Sequence, residues 1–234
     1  MPVAAHAAPL VARDVSLRVA DRRSATVALR GISMEVRAGE VTVIVGAEGS
    51  GKSTLLHVLA GLDKPTSGSV SLAGRTLEAL DQREATRLRR QHIGLLLPEA
   101  PALPTITVRE NIALPLMIAR QQPEPGEVDA LLRRVGLDTR RHHRPGELTA
   151  SERRRAALAR ALLGRPSVLL ADEPVSDLPA EESGALLGLL RDAAHEDGIG
   201  VVIFTRDIAL AAAADRVVRL EAGRMAVDRL AIAA

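Results

Sequence analysis

The stretch Val41-Thr42-Val43-Ile44-Val45-Gly46-Ala47-Glu48-Gly49-Ser50-Gly51-Lys52-Ser53-Thr54 decides the fold. Val41 to Val45 is an apolar, β-branched run of the kind found in strands buried on both faces. Gly46 to Ser53 matches the pattern G-x-x-x-x-G-K-[ST], and it stands after a buried strand and before a helical stretch, where the chemistry needs it. Glycines let consecutive backbone N–H groups point inward around a β-phosphate, and the helix N-terminus adds partial positive charge. Lys52 then bridges β- and γ-phosphates, and Ser53 ligates Mg²⁺. Gly46, Ala47, Glu48, Gly49, Ser50, Gly51, Lys52, Ser53 and Thr54 together form the expected nucleotide loop. Glu48 fills a variable position and receives no catalytic role.

About 120 residues after Lys52, Val168-Leu169-Leu170-Ala171-Asp172-Glu173 is an apolar strand ending in two carboxylates. That arrangement places one acid beside a metal ion and a second near an attacking water. Strand-end acids also serve as helix caps. The glycine loop weighs against that reading, because parallel neighbouring strands would deliver both motifs to one sheet edge. Asp172 and Glu173 are therefore expected to be catalytic with Lys52, and Ser53 and Asp172 to hold the metal.

Outward from these motifs, Val15, Leu17 and Val19 alternate with polar neighbours, as do Ile32, Met34 and Val36. Each run predicts a half-buried strand, and the two read as antiparallel. A helix is expected from Ser53 to Ala60, stopping at Gly61. A short strand at Ser69 to Leu72, an arginine-rich helix near Glu84 to Arg90 and a strand at Ile93 to Leu97 follow. Thr107-Val108-Arg109-Glu110 is a capping box that predicts a helix from about Val108 to Arg120. Polar, kinked Gln121 to Gly126 precedes a helix through about Val135. Thr149-Ala150-Ser151-Glu152 is a second capping box, opening a helix that ends near Gly164 with Pro166 beyond it. Pro179 suits the first turn of another helix, and Val201 to Phe204 reads as a buried strand. Strands alternating with helices imply an α/β fold with a mostly parallel central sheet. The expected architecture is one domain over residues 1–234, with flanking helices, an N-terminal antiparallel β subdomain and a helical insertion at about residues 90 to 150.

Composition narrows the function. The 234 residues carry 31 basic and 29 acidic side chains, a formal charge of +2, which argues against a polybasic nucleic-acid coat. Phe204 is the only aromatic residue, so no stacking platform for single-stranded nucleic acid is present; no nucleic-acid partner is expected. The absence of cysteine excludes a disulfide scaffold, a thiolate metal site and a cysteine nucleophile. Met1 to Leu10 lacks the features of a signal peptide, and no apolar run approaches the roughly 18 residues that span a bilayer. A cytoplasmic, non-spanning protein is expected. Only Lys52 and Lys64 are lysines, a bias read as genomic base composition, although one of the two occupies the required loop position. Arg140-Arg141-His142-His143-Arg144 reads as a solvated loop, and Arg153-Arg154-Arg155 as an exposed helix face.

The glycine loop, Leu148-Thr149-Ala150-Ser151-Glu152-Arg153 and Leu170-Ala171-Asp172-Glu173-Pro174 stand in the order and spacing of ATP-binding cassette (ABC) transporter ATPases, which the chain resembles over nearly its whole length. Leu55 to Asp63, Arg109 to Leu116 and Val135-Gly136-Leu137 look like the subfamily serving lipoprotein release and macrolide-type efflux. The resemblance implies ATP and Mg²⁺ as cofactors, a head-to-tail homo- or heterodimer that sandwiches two ATP molecules, and a separate membrane permease as partner, at the inner face of the cell membrane.

Five positions depart from the family. Val19 stands where an aromatic residue stacks on adenine, Pro98 where a glutamine senses Mg²⁺ and water, and Thr149-Ala150-Ser151 where the signature has Ser-Gly-Gly. Pro179 replaces the aspartate that ends the loop after the second carboxylate, and Arg206 replaces the switch histidine. Proline offers neither an amide side chain nor a backbone N–H. Ala150 and Ser151 add Cβ atoms where the family's backbone presses against the other subunit's γ-phosphate. Arg206 can clamp a phosphate bidentately but cannot exchange a proton as histidine does, and it joins the expected nucleotide-binding residues. Two readings follow: an ATPase subunit of an ABC transporter, or a hydrolysis-poor regulatory nucleotide-binding subunit. A small-molecule P-loop kinase is not expected to carry the Leu148 to Arg153 segment.

Overall fold

The computed structural model describes residues 8–21, 24–98 and 102–230. Two sheets are present. The N-terminal one is antiparallel: β1 (Leu10–Asp21) pairs with β2 (Ser24–Val36), Leu10 opposite Val36, and β4 (Ser67–Leu72) and β5 (Arg75–Thr76) extend the other side. The second has the order β10-β9-β3-β8-β7-β6, built from β3 (Val41–Val45), β6 (Ile93–Leu96), β7 (Val168–Asp172), β8 (Gly200–Thr205), β9 (Arg216–Glu221) and β10 (Arg224–Leu230). All of its pairings are parallel except β9 with β10. The β9–β10 hairpin and the two-residue β5 were not read from the sequence; β9 alternates, with Val218 and Leu220 buried.

The β3 and β7 strands are not neighbours, because β8 lies between them. All six β8 residues are buried. Such a run is stable with a sheet partner on each edge and cover on both faces. The expectation of one sheet edge holds nonetheless: Val45 lies beside Thr205 and Asp172 beside Phe204, so the three strands end together.

Side-chain alternation divides the interior. Ile44, Leu170, Val202 and Phe204 face a core shared with β1, β2 and helix α1 (Lys52–Leu59), through Leu55, Leu56, Val58 and Leu59. Val43, Leu169, Val201 and Ile203 face α5 (Ala150–Leu162) and α6 (Ala180–His195), through Leu158, Leu162, Leu186 and Leu190. Helix α2 (Gln82–His92), capped by Asp81, leads into β6. A third cluster joins α3 (Val108–Ile118), α4 (Glu127–Arg134) and α5 through Ile112, Leu132, Leu148 and Ala159. Both capping boxes are formed, at Thr107–Glu110 and Thr149–Glu152. Helix α3 ends two residues short of Arg120, which reverses the chain at φ 54. Pro179 is the cap before α6, with extended ψ of 152, and not a residue of its first turn.

Candidate nucleotide site

The loop after β3 is shaped by close approach. A Cβ on Gly46 would lie 2.5 Å from Ser50 Oγ and 2.6 Å from the Leu220 carbonyl oxygen, and one on Gly51, at φ 104, would lie 2.7 Å from the Ala28 carbonyl oxygen. Only glycine fits either place. Gly46 N–H donates to Thr205 O at 3.1 Å, which fixes the loop to the end of β8. Helix α1 then begins at Lys52 with no side-chain cap and no acid in its first turn. Its first N–H groups have no partner within the helix and carry the positive end of its dipole, an opening suited to an anion.

Lys52 is 8% exposed. Its Nζ donates to Gly46 O at 2.7 Å and Ala47 O at 2.9 Å, leaving one of three donors over. Burial holds this ammonium below its ordinary range, while Glu173 and Asp172 pull the other way. Ser50 Oγ is buried without a hydrogen-bond partner. An orphaned hydroxyl is costly inside a protein, and this one lies in the loop that would wrap a phosphate.

Asp172 ends β7, and its Oδ2 accepts from Ser53 Oγ at 3.3 Å. Burial pushes its carboxyl up, against the Ser53 hydrogen bond. The pair brings two oxygen donors together and leaves the remaining positions open. That fits Mg²⁺, which takes one or two carboxylates and completes its shell with phosphate oxygens and waters. Glu173, at φ 42, donates its N–H to Phe204 O at 2.8 Å. Its carboxylate accepts from Thr205 Oγ1 at 3.0 Å and from Arg206 N–H at 3.0 Å, with Arg206 Nε at 3.4 Å. Arg206 Nη1 also stands 3.7 Å from Glu48 Oε2, a pair weakened by Glu48's 90% side-chain exposure. Lys52, Ser53, Thr54, Asp172, Glu173 and Arg206 line one cavity of about 610 Å³.

Other sequence-singled residues lie elsewhere. Pro98 and Ala150 line a separate cavity of about 350 Å³ between the segment after β6, the start of α3 and α5. Thr149 and Ser151 are absent from the lining of the Lys52 cavity. Val19 lies in β1 opposite Thr26, but its side chain falls outside the described residues. The arginines at the start of α5 are only in part the expected exposed face: Arg153 is exposed, whereas Arg154 and Arg155 are half-buried. Arg153, Arg154 and Arg155 donate to the carbonyls of Leu148, Glu173 and Val135 respectively. Long arginine stems lie along the surface while their heads reach carbonyls at loop and helix ends. In the basic loop, Arg140 pairs with Glu152 and Arg141 with Asp129. Thr205 and Arg154 were missed by sequence reading, since their only signal was proximity to Arg206 and to the Thr149 segment.

A glycine loop opening an uncapped helix, with a strand-end Asp-Glu pair beside it at the same edge of a parallel sheet, is the arrangement of a P-loop nucleotide hydrolase. Residues 29–176 match the family model described as ABC transporter. The chain belongs to the ABC transporter family and is an ATP-binding, ATPase subunit of that family. It is 41% identical to the lipoprotein-releasing system ATP-binding protein LolD of Acinetobacter baylyi, over 92% of this chain and 95% of that protein. Among solved structures it resembles the ATP-binding cassette MJ0796, in a dimeric post-hydrolysis state bound to ADP and Pi, with TM-score 0.87 and 30% identity over 95% of this chain and 99% of that one. CbiO1 of Clostridium perfringens, part of an ABC transporter complex, aligns with TM-score 0.82 and 26% identity over 94% and 88% of the two chains. No helix among the described residues is long and apolar enough to cross a membrane.

Proposed function

We propose that the chain binds Mg-ATP in the loop Gly46 to Thr54 and acts at the inner face of the cell membrane as one half of a head-to-tail ATPase dimer that drives a separate permease. Its relatedness to a lipoprotein-releasing subunit supports lipoprotein extraction as the transport class. In this reading residues 1–234 are a single nucleotide-binding domain with a helical subdomain inserted at about residues 90 to 150, although Ile93–Leu96 within those bounds is β6 of the central sheet. The observation that carries the proposal is the convergence of an uncapped α1, the buried Lys52 and the Ser53–Asp172 contact in one cavity.

The chemistry follows from that placement. The N–H groups of the loop and α1 cradle the phosphates, and Lys52 releases its carbonyl partners to reach the β- and γ-oxygens. Ser53 and Asp172 would hold Mg²⁺, whose chemistry there would be to neutralise charge on the phosphate oxygens. Glu173 accepts the proton of the attacking water, its carboxylate aimed by Thr205 Oγ1 and the Arg206 N–H. Arg206 supplies a fixed positive charge at the mouth of the site.

The hydrolysis-poor reading is supported by the five departures from the family, at Val19, Pro98, Thr149-Ala150-Ser151, Pro179 and Arg206. In a heterodimer an intact partner's signature would cap this subunit's Lys52, Asp172 and Glu173. Steady-state phosphate release by the purified chain, alone and with a co-purified permease or intact ATPase partner, separates the readings. Slow release alone, quickened by a partner, is expected. Turnover of about 1 s⁻¹ or more by the lone chain, within the ordinary enzyme range, would sink the hydrolysis-poor reading.

A further inference from the structure

The backbone of Glu173 is held in an uncommon conformation. Its φ of 42 lies in the left-handed region, which a residue with a side chain adopts only where its surroundings over-determine it. Pro174 follows, and a proline biases the residue before it toward extended backbone. Local preference is therefore opposed twice, and the hold must come from contacts.

Those contacts are few. The Glu173 N–H donates to Phe204 O. The Glu173 carbonyl accepts from Ser176 N–H at 3.2 Å, from Ser176 Oγ at 3.0 Å and from Arg154 Nη1 at 3.0 Å. The Ser176 bonds belong to the same short turn. Arg154 comes from α5, 19 residues earlier in sequence, and is the charged donor of the set, hence the stronger one. Its head is partly buried, and Asp177, at φ 63, supplies nearby negative charge.

We infer that Arg154 is a positioning residue for Glu173: by gripping the Glu173 carbonyl from α5, it keeps the left-handed turn that delivers the carboxylate to Thr205 Oγ1 and the Arg206 N–H. The grip ties the proton-accepting group to the helix whose first turn carries the Thr149 to Arg153 segment. A shift of α5 is then felt at Glu173 through one guanidinium. This inference rests on Glu173 being the proton acceptor of the proposed ATPase, but its central geometric claim does not require nucleotide.

The full-length chain and its Arg154→Met and Arg154→Lys variants test it. Amide hydrogen exchange, followed by NMR without nucleotide, is expected to quicken about tenfold at Ser176 and Arg206 in Arg154→Met, the behaviour of a local opening. The Val201 to Phe204 amides should keep their protection, and Arg154→Lys should restore most of the wild-type pattern. The Arg206 amide is the decisive readout, because it touches only the carboxylate of Glu173 and no atom of Arg154. In phosphate release, kcat should fall about ten- to a hundredfold in Arg154→Met, the scale of a misplaced catalytic group, with ATP affinity by calorimetry unchanged. An unchanged Arg206 amide, or uniform loosening of β8 in both variants, would overturn the inference. Failure of the wild-type chain to bind ATP would instead overturn the proposed function and leave the exchange result to decide this one.

Discussion

Helix α1 opens at Gly51, in a left-handed conformation with no side-chain cap, whereas α5 opens at Thr149 with both halves of a capping box in place. Thr149 Oγ1 accepts from Glu152 N–H at 3.1 Å, and the Glu152 carboxylate accepts from Thr149 N–H at 2.9 Å. The same physics operates at both ends. Each helix begins with orphan donors; in α5 the box satisfies the Glu152 N–H within the chain and brings in a negative charge, while α1 has no side-chain cap and starts beside a buried lysine. A helix start becomes an anion site when its own sequence leaves it uncapped. Of the two helix starts, that of α1 lines the cavity that also holds Asp172 and Glu173, through Gly51, Lys52 and Ser53, and that of α5 does not.

The largest effect should come at the strand end facing α1. Glu173→Gln is expected to lower turnover by about 10²- to 10⁴-fold, the usual contribution of a general base, while calorimetry shows ATP affinity retained. Parallel loss of affinity would mean that Glu173 serves binding, and the contrast between a binding end and a satisfied end would lose its catalytic half.

Lys52→Ala strikes the open end directly. Removing a charge-assisted donor to phosphate should weaken Mg-ATP binding by about 2–3 kcal/mol, roughly 30- to 150-fold. Equal affinity of mutant and wild type in calorimetry would break the assignment of α1 as the anion site.

At the capped end, Thr149→Ala should cost about 1 kcal/mol of stability, seen as a fall in Tm of about 2–4 °C for a domain this size. ATP affinity of the single chain should not change, because Thr149 does not line the Lys52 cavity. A loss of affinity matching that of Lys52→Ala would erase the distinction between the two helix ends.

The smallest effect concerns the charge of the box. The Thr149 N–H holds the Glu152 carboxyl below the ordinary carboxylate range, with burial opposing and Arg140 assisting. A folded-state value below the unfolded one contributes stability above the unfolded value, near 4.3, which is lost as pH falls through the folded value. Wild type should therefore lose slightly more Tm than Glu152→Gln between about pH 6 and pH 3. An equal loss in both proteins would show that the charge adds nothing to the cap.

Much of this arrangement is legible in the chain because its signals are local. Val41 to Thr54 reads as strand, loop and helix from β-branching followed by glycine spacing, and Thr107–Glu110 and Thr149–Glu152 mark two helix starts through residues three apart. The α3 end near Ile118 is less legible, since Pro115 is tolerated inside the helix and the chain reverses at Arg120. Arg153 is exposed as its sequence suggests, but Arg154 and Arg155 are half-buried, because helical periodicity places a Cα on a face and says nothing of where a long, flexible side chain ends.

Local sequence determined the strand, the loop, the uncapped α1 and the capped α5, since each depends on residues within a few positions of one another. Tertiary structure decided the order β3-β8-β7 and everything that hangs on it. Thr205 and Arg206 meet the carboxylate of Glu173 only because β8 lies beside β7, 32 and 33 residues away along the chain, and Arg154 reaches the Glu173 carbonyl only because α5 packs over that sheet face. Contacts between distant segments depend on how buried apolar faces stack, and many strand orders would satisfy the same local pattern of alternation and burial.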